Sequence, residues 1–158
     1  MKEKIIASCG NDCASCPRYN VSPYEKSEEE LKHTAELWQK IGYRDRVVSN
    51  EEIACSGCKS ENWCRYRVVK CCEEHSVKNC GECAEYACEN IKACFEVTMS
   101  FEIKCREVCT EEEWQALKAA FFEKEQNLRG VLTATRGFIN LWRLQFFGKD
   151  FQQIKIFI

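Results

Sequence analysis

Long apolar runs are missing from this chain of 158 residues. No stretch approaches the ~18 consecutive apolar residues of a membrane-spanning helix. The opening MKEKIIAS holds only a short apolar triplet, against the roughly 7–15 residues in the apolar core of a secretory signal. The expectation is a cytoplasmic protein without a transmembrane segment, in a compartment that keeps thiols reduced. Histidine is scarce, with two in the chain. No Ser/His/Asp or Cys/His/Asn set stands out, so the reading leans away from an enzyme. Basic charge is not in excess either: 23 Lys and Arg stand against 25 Asp and Glu. Residues 131–158 hold four basic side chains (Arg136, Arg143, Lys149, Lys155) and one acidic, Asp150, which leaves the remainder with 19 basic and 24 acidic. An acidic body is a poor match for a phosphate backbone and argues against nucleic acid as a partner. No internal repeat of fixed period and no low-complexity tract is visible.

Cysteine is what the chain has in abundance. Its 14 cysteines are about nine per cent of the sequence, in the range of scaffolds cross-linked by something besides apolar packing. In a reduced compartment that something is metal in preference to disulfides. Three Cys-x-x-Cys pairs stand out: Cys13/Cys16, Cys55/Cys58 and Cys80/Cys83. Such a pair lets a tight turn aim two thiolates at one tetrahedral ion, with Zn–S near ~2.3 Å. Cys9, Cys64, Cys71 and Cys88 stand nearby. Gly57 and Gly81 suit turns in which backbone amides approach sulfur. Cys9, Cys13 and Cys16 read as three of four ligands of one ion, for which the chain must fold back to bring a fourth; this closes a long loop, so metal can replace a large apolar core.

The helical signals are as follows. Ser27 and Glu30 form a capping box opening residues 27–41, with Leu31, Ala35, Trp38 and Ile41 on one face and Gly42 at the stop. Residues 43–54 read as a polar loop. Residues 62–76 read as a helix with Cys64, Val68, Cys71 and His75 on one face, followed by a cysteine-bearing turn over 80–88 and a helix over 88–97. Thr110 and Glu113 form a second capping box, opening a helix with Trp114, Leu117 and Phe121 inward and Gly130 at its end. Residues 131–158 lack cysteine, carry six aromatics and close on IKIFI, which alternates like a strand. Extra core is preferred there over a membrane-surface helix. If 64–71 is helical, Cys64 and Cys71 lie about 10 Å apart along the axis, whereas two sulfurs on one zinc are only about 3.8 Å apart. Cys64 then joins Cys55 and Cys58, and Cys71 joins Cys80 and Cys83.

The order CGNDCASCPRY, CSGC and CRYRVVKCCEEHSVKNCGECAEYACENI resembles the Cys-rich bacterial and archaeal family called domain of unknown function 3795, over roughly residues 5–97. The resemblance implies Cys9, Cys13, Cys16, Cys55, Cys58, Cys71, Cys80, Cys83 and Cys88 as the family's cysteines, with Cys64 the less secure match. It implies little about function beyond an expectation of zinc. Ala87 stands where the family tends to have proline, and Cys72 replaces a small residue. Cys72, Cys94, Cys105 and Cys109 read as buried small apolar residues.

Cys9-x3-Cys13-x2-Cys16 is also the spacing by which radical enzymes hold a four-iron cluster, and Cys16-Pro17 resembles the end of a ferredoxin run. The chain is too short for the barrel such chemistry normally uses, so an iron–sulfur redox protein ranks second. A thioredoxin-like role lacks its βαβ context. His75, at i+4 from Cys71, reads as a solvated helix-end residue ahead of a ligand. His33 reads as exposed. The Arg65, Arg67, Lys70 group reads as a solvated face.

The sequence therefore predicts a mainly α, small Cys-rich domain over 1–109, metal-stabilised and with short knuckle-like turns. A carboxyl-terminal helix and aromatic tail over 110–158 pack on it. The ten metal-ligating candidates are Cys9, Cys13, Cys16, Cys55, Cys58, Cys64, Cys71, Cys80, Cys83 and Cys88. They exceed the eight that two closed tetrahedral zinc sites require. Four thiolates leave no open position on zinc, so the metal is expected to be structural and the function to be binding of a protein partner or small ligand. The alternatives are an iron–sulfur redox protein and a nucleic-acid-binding zinc module.

Overall fold

Three helix starts in this protein are set by side-chain caps. In the computed structural model, which describes residues 3–60 and 64–130, Ser27 Oγ accepts the Glu30 N–H at 3.2 Å and the Glu30 carboxylate accepts the Ser27 N–H at 2.8 Å. This reciprocal pair opens α1, Glu28–Lys40. Thr110 and Glu113 repeat it at the start of α6, Glu111–Leu117. A third capping box joins Ser49 and Glu52 and opens a short α2, Asn50–Ile53. The loop expected over 43–54 is corrected to that extent: four residues are helical because Ser49 satisfies the first free backbone N–H groups.

Between these come α3 (Val68–Glu74), α4 (Glu89–Ser100) and α5 (Glu102–Val108). The helix expected over 62–76 starts only at Val68. Arg67 adopts a left-handed backbone, φ 48°, and its N–H closes a turn onto the Cys64 carbonyl at 2.9 Å. Asn90 Nδ2 ties down the adjoining Tyr66 carbonyl at 2.7 Å. Cys64 thus stands outside the helix, and the axial separation from Cys71 that a continuous helix would impose does not apply. After α6 the chain widens into a π-helical turn, Lys118–Phe122, where the Ala120 carbonyl accepts the Asp12 N–H at 3.0 Å. Helix then resumes over 124–130.

The described residues are mainly helical, with isolated bridges and no strand. Two apolar clusters hold them. One gathers Leu31, Ala35, Leu37, Trp38 and Ile41 with Ile53, Cys105, Trp114 and Leu117, so α1, α2, α5 and α6 share it. Ile41, Ile53 and Leu117 are almost wholly buried, each worth about 1.5–3 kcal/mol relative to exposure. The second gathers Val68 and Cys72 of α3, Cys80, Ile91 and Cys94 of α4, and Leu128. Helix 124–130 thereby reaches the cysteine-rich half. No helix among the described residues is long and apolar enough to cross a membrane. The aromatic tail and closing IKIFI lie outside the described residues.

Candidate metal centre

Two of the three Cys-x-x-Cys turns are built alike. Asp12 Oδ1 accepts the Ala14 N–H at 3.0 Å, opening a 3₁₀ turn over Cys13–Ser15. Asn79 Oδ1 accepts the Gly81 N–H at 2.9 Å, opening one over Cys80–Glu82. In each, the second cysteine's N–H returns to the first one's carbonyl, at 3.1 Å for both Cys16 and Cys83. The next turn closes the same way, Tyr19 N–H onto Cys16 at 3.1 Å and Tyr86 N–H onto Cys83 at 3.2 Å. The shared pattern is Asx-Cys-x-x-Cys-x-x-Tyr, a duplication that a search for fixed periods does not find. The Asx cap satisfies backbone donors that a three-residue turn cannot satisfy itself.

The third pair reaches the first through the backbone. Tyr19 and Cys55 form a parallel bridge, with the Cys55 N–H on the Arg18 carbonyl at 2.7 Å and the Asn20 N–H on the Cys55 carbonyl at 2.9 Å. Arg18 Nε donates to the Ile53 carbonyl at 2.8 Å. The thiols so gathered feel one another. Burial, reinforced by the Cys58, Cys16 and Cys55 sulfurs, pushes the Cys13 thiol up to about 12. Burial pushes Cys16 up to about 11, partly offset by the Arg18 backbone N–H. Cys58 is also pushed up to about 11, by burial and by the Cys9, Cys55 and Cys64 sulfurs. Crowded thiols without a cation hold their protons tightly.

The second group surrounds a cavity of about 20 Å³, room for a single water-sized body. Cys71 comes from α3, Cys80 and Cys83 from the second Asx-capped turn, and Cys88 from the cap position of α4; all four line the cavity, as do His75 and Glu85. The Cys80 N–H is anchored on the Ser8 carbonyl at 2.9 Å. Burial raises the Cys71 thiol, followed by the effect of Cys88 and Cys83. Burial likewise raises Cys80, which also faces Cys72 at 3.8 Å. His75 Nδ1 lies 2.9 Å from the Cys71 carbonyl oxygen. A carbonyl only accepts, so Nδ1 carries the proton of this bond.

Cys9 and Cys64 also lie near the first group, since both sulfurs act on Cys58 and Cys9 acts on Cys13. Cys64 borders the second apolar cluster. The Cys9 thiol shares a hydrogen bond with Cys94, which draws it down; burial opposes this, the Lys124 ammonium assists, and it settles at about 6. Cys94 is pushed up in turn. Cys72, Cys94 and Cys105 are buried, and Cys109 half-buried. Lys124, which sequence reasoning missed, is buried with its ammonium on Thr98 Oγ1 at 2.7 Å and Cys94 Sγ at 3.5 Å.

The donor chemistry, thiols, is of the kind that suits a soft or borderline dication. Among the described residues, no three His, Cys, Asp or Glu side chains stand arranged to hold a metal ion. A bound ion would therefore draw the sulfurs of each group closer than they stand.

No curated protein and no solved structure matches the chain. A family model does, over residues 5–93, more than half of the sequence, a span that takes in all ten candidate cysteines and both Asx-capped turns. By that match the chain belongs to the family described as "Protein of unknown function (DUF3795)".

Proposed function

We propose that this protein binds two structural zinc ions, one through Cys13, Cys16, Cys55 and Cys58 and one through Cys71, Cys80, Cys83 and Cys88. The metal-tied helices would present a surface to a protein partner or small ligand. The observation that carries the reading is the small cavity lined by Cys71, Cys80, Cys83 and Cys88. Cys71, Cys80, Cys83 and Cys88 come from three separate segments and, with Cys72, line a space of about one ion's size; thiols that repel as thiolates are relieved by a dication. Closed tetrahedral sulfur sites leave no position for an activated water, so the metal's part is to hold the fold. Thiols in this state belong to a reducing compartment such as the cytoplasm.

The test is elemental analysis of anaerobically purified protein. The expected metal content is about two zinc per chain, falling by one in Cys13→Ser and by one in Cys80→Ser. A metal-free preparation that stays compact overturns the reading, as does one whose thiols are joined as disulfides. A brown sample absorbing near ~400 nm replaces zinc with an iron–sulfur cluster.

A further inference from the structure

Lys59, Arg65, Arg67 and Lys70 line one open cavity of about 490 Å³, together with Ser60 and Val69. Among the described residues no carboxylate lines it. Arg67 faces Glu74 at 3.9 Å, with both side chains more than half exposed. Lys59, Arg65 and Lys70 form no ion pair among the described residues. The sequence alone reads Arg65, Arg67 and Lys70 as a solvated helix face, but Arg65 and Arg67 precede α3. A left-handed Arg67, φ 48°, turns the chain there. Its N–H on the Cys64 carbonyl and Asn90 Nδ2 on the Tyr66 carbonyl hold that turn, at 2.9 and 2.7 Å. The Arg65 guanidinium lies 6.0 Å from the Tyr66 ring centroid, at the edge of a cation–π contact. Four like charges around one cavity repel one another, and an arriving anion relieves the repulsion.

We propose that this cavity binds a compact phosphate-bearing anion, a di- or triphosphate group. Such a group carries about three or more negative charges at neutral pH, each phosphate bringing about 1.5–2, against the single charge of a carboxylate. The forks of Arg65 and Arg67 match paired phosphate oxygens, and Lys59 and Lys70 supply point charges. The volume lies in the roughly 300–1,000 Å³ range of small-molecule sites. The rest of the surface argues for a short ligand. Set aside these four of their 19 basic side chains, and residues 1–130 hold 15 against 24 acidic. A long polyanion leaving the cavity at either end meets that acidic surface and is repelled. The inference rests on the reading above in one respect: it names the small ligand left open there, on the segment bounded by Cys58 and Cys71, one from each proposed zinc group.

The experiment titrates sodium pyrophosphate calorimetrically into the anaerobically purified full chain, with metal content read on the same sample before and after. One site per chain is expected. Arg67→Gln and Lys70→Gln should each weaken it about tenfold, as for loss of a charge-assisted hydrogen bond, with metal content unchanged. Lys32→Gln, which removes an exposed cation of α1, should leave it as it was. Tighter binding of ADP than of pyrophosphate assigns the group to a nucleotide, and equal binding assigns it to the free anion. The proposal is overturned if citrate binds as well as pyrophosphate, if Lys32→Gln weakens binding as much as Lys70→Gln, or if a single-stranded oligonucleotide binds more tightly than either anion. Loss of metal to pyrophosphate overturns it too. Zinc-loaded protein that takes up no pyrophosphate overturns this site alone, whereas pyrophosphate binding to a compact, metal-free chain upholds the site and overturns the zinc reading alone.

Discussion

Gly10 and Gly81 press on one stretch of helix a single turn apart. A Cβ at Gly10 would lie 2.5 Å from the Lys124 carbonyl oxygen, and a Cβ at Gly81 would lie 2.5 Å from that of Leu128. Carbonyls four residues apart point along the same side of a helix, so helix 124–130 rests across both the amino-terminal cysteine loop and the second Asx-capped turn. The nearest atom each Cβ would meet is backbone, not a movable side chain. Gly81 lacks a positive φ, so its need for glycine is one of space alone.

Gly81→Ala should therefore force the helix and the Cys80–Glu82 turn apart. The expected cost is about 1–3 kcal/mol, the range for overpacking a closed contact. Urea unfolding of the purified variant checks this. An unchanged midpoint would mean that helix 124–130 does not bear on the turn.

Asp12 is 2% exposed and spends both carboxylate oxygens: Oδ1 on the Ile5 and Ala14 N–H groups at 3.1 and 3.0 Å, Oδ2 on the Ser15 hydroxyl at 2.8 Å. Asp12→Ala should cost about 1–3 kcal/mol, because buried backbone donors lose their acceptor. Asp12→Asn should cost about 1 kcal/mol or less, since an amide oxygen still caps the turn, as Asn79 does in the second turn. Thermal unfolding of the two variants side by side checks the order, and equal losses would refute the equivalence of the turns.

These turns also show where sequence reading succeeds. Ser27/Glu30 and Thr110/Glu113 were legible because each cap precedes a long apolar stripe. Ser49/Glu52 obeys the same rule but opens a helix with one buried residue, Ile53, and so passes for loop. The start of α3 is not legible, because arginine is an ordinary helix former and the turn before it is fixed by the Arg67–Cys64 backbone bond and by Asn90, a distant residue, on the Tyr66 carbonyl. The cysteine pairs announce themselves by spacing, but which pairs meet depends on the Tyr19–Cys55 bridge. Lys124 sits in the run EKEQ, which reads as solvated charge until α4 brings Cys94 and Thr98 beside it.

Glu113 ties α6 to α1. Its carboxylate accepts from Lys40 at 2.8 Å and from the Thr110 N–H at 2.7 Å, and faces His33 Nε2 at 3.4 Å. Burial alone would raise its carboxyl, but Lys40, Thr110 and His33 outweigh burial and hold it below the ordinary value of 4.5. A lowered carboxyl contributes stability that is present above 4.5 and lost as pH falls below it. Glu113→Ala should cost about 1–2 kcal/mol at neutral pH through loss of the capping box. Glu113→Gln should be less stable than the parent at pH 7, with the gap closing on acidification. A gap independent of pH would assign the carboxylate no electrostatic part.

Zinc loading should release protons, and the crowded thiols say how. Cys13, Cys16 and Cys58 are pushed up to between about 11 and about 12, so the metal-free chain holds these protons at pH 7. Ligation requires thiolates. Each zinc entering the first group of four should then displace roughly three to four protons, and its affinity should fall steeply as pH drops. The metal-free chain should behave oppositely. A raised thiol lends stability that is complete below the unfolded value near 9.0 and is lost as pH climbs towards the folded value. Calorimetric titration with zinc in buffers of differing ionisation enthalpy counts the protons directly. If loading released none, the sulfurs of Cys13, Cys16, Cys55 and Cys58 would not be the ligands.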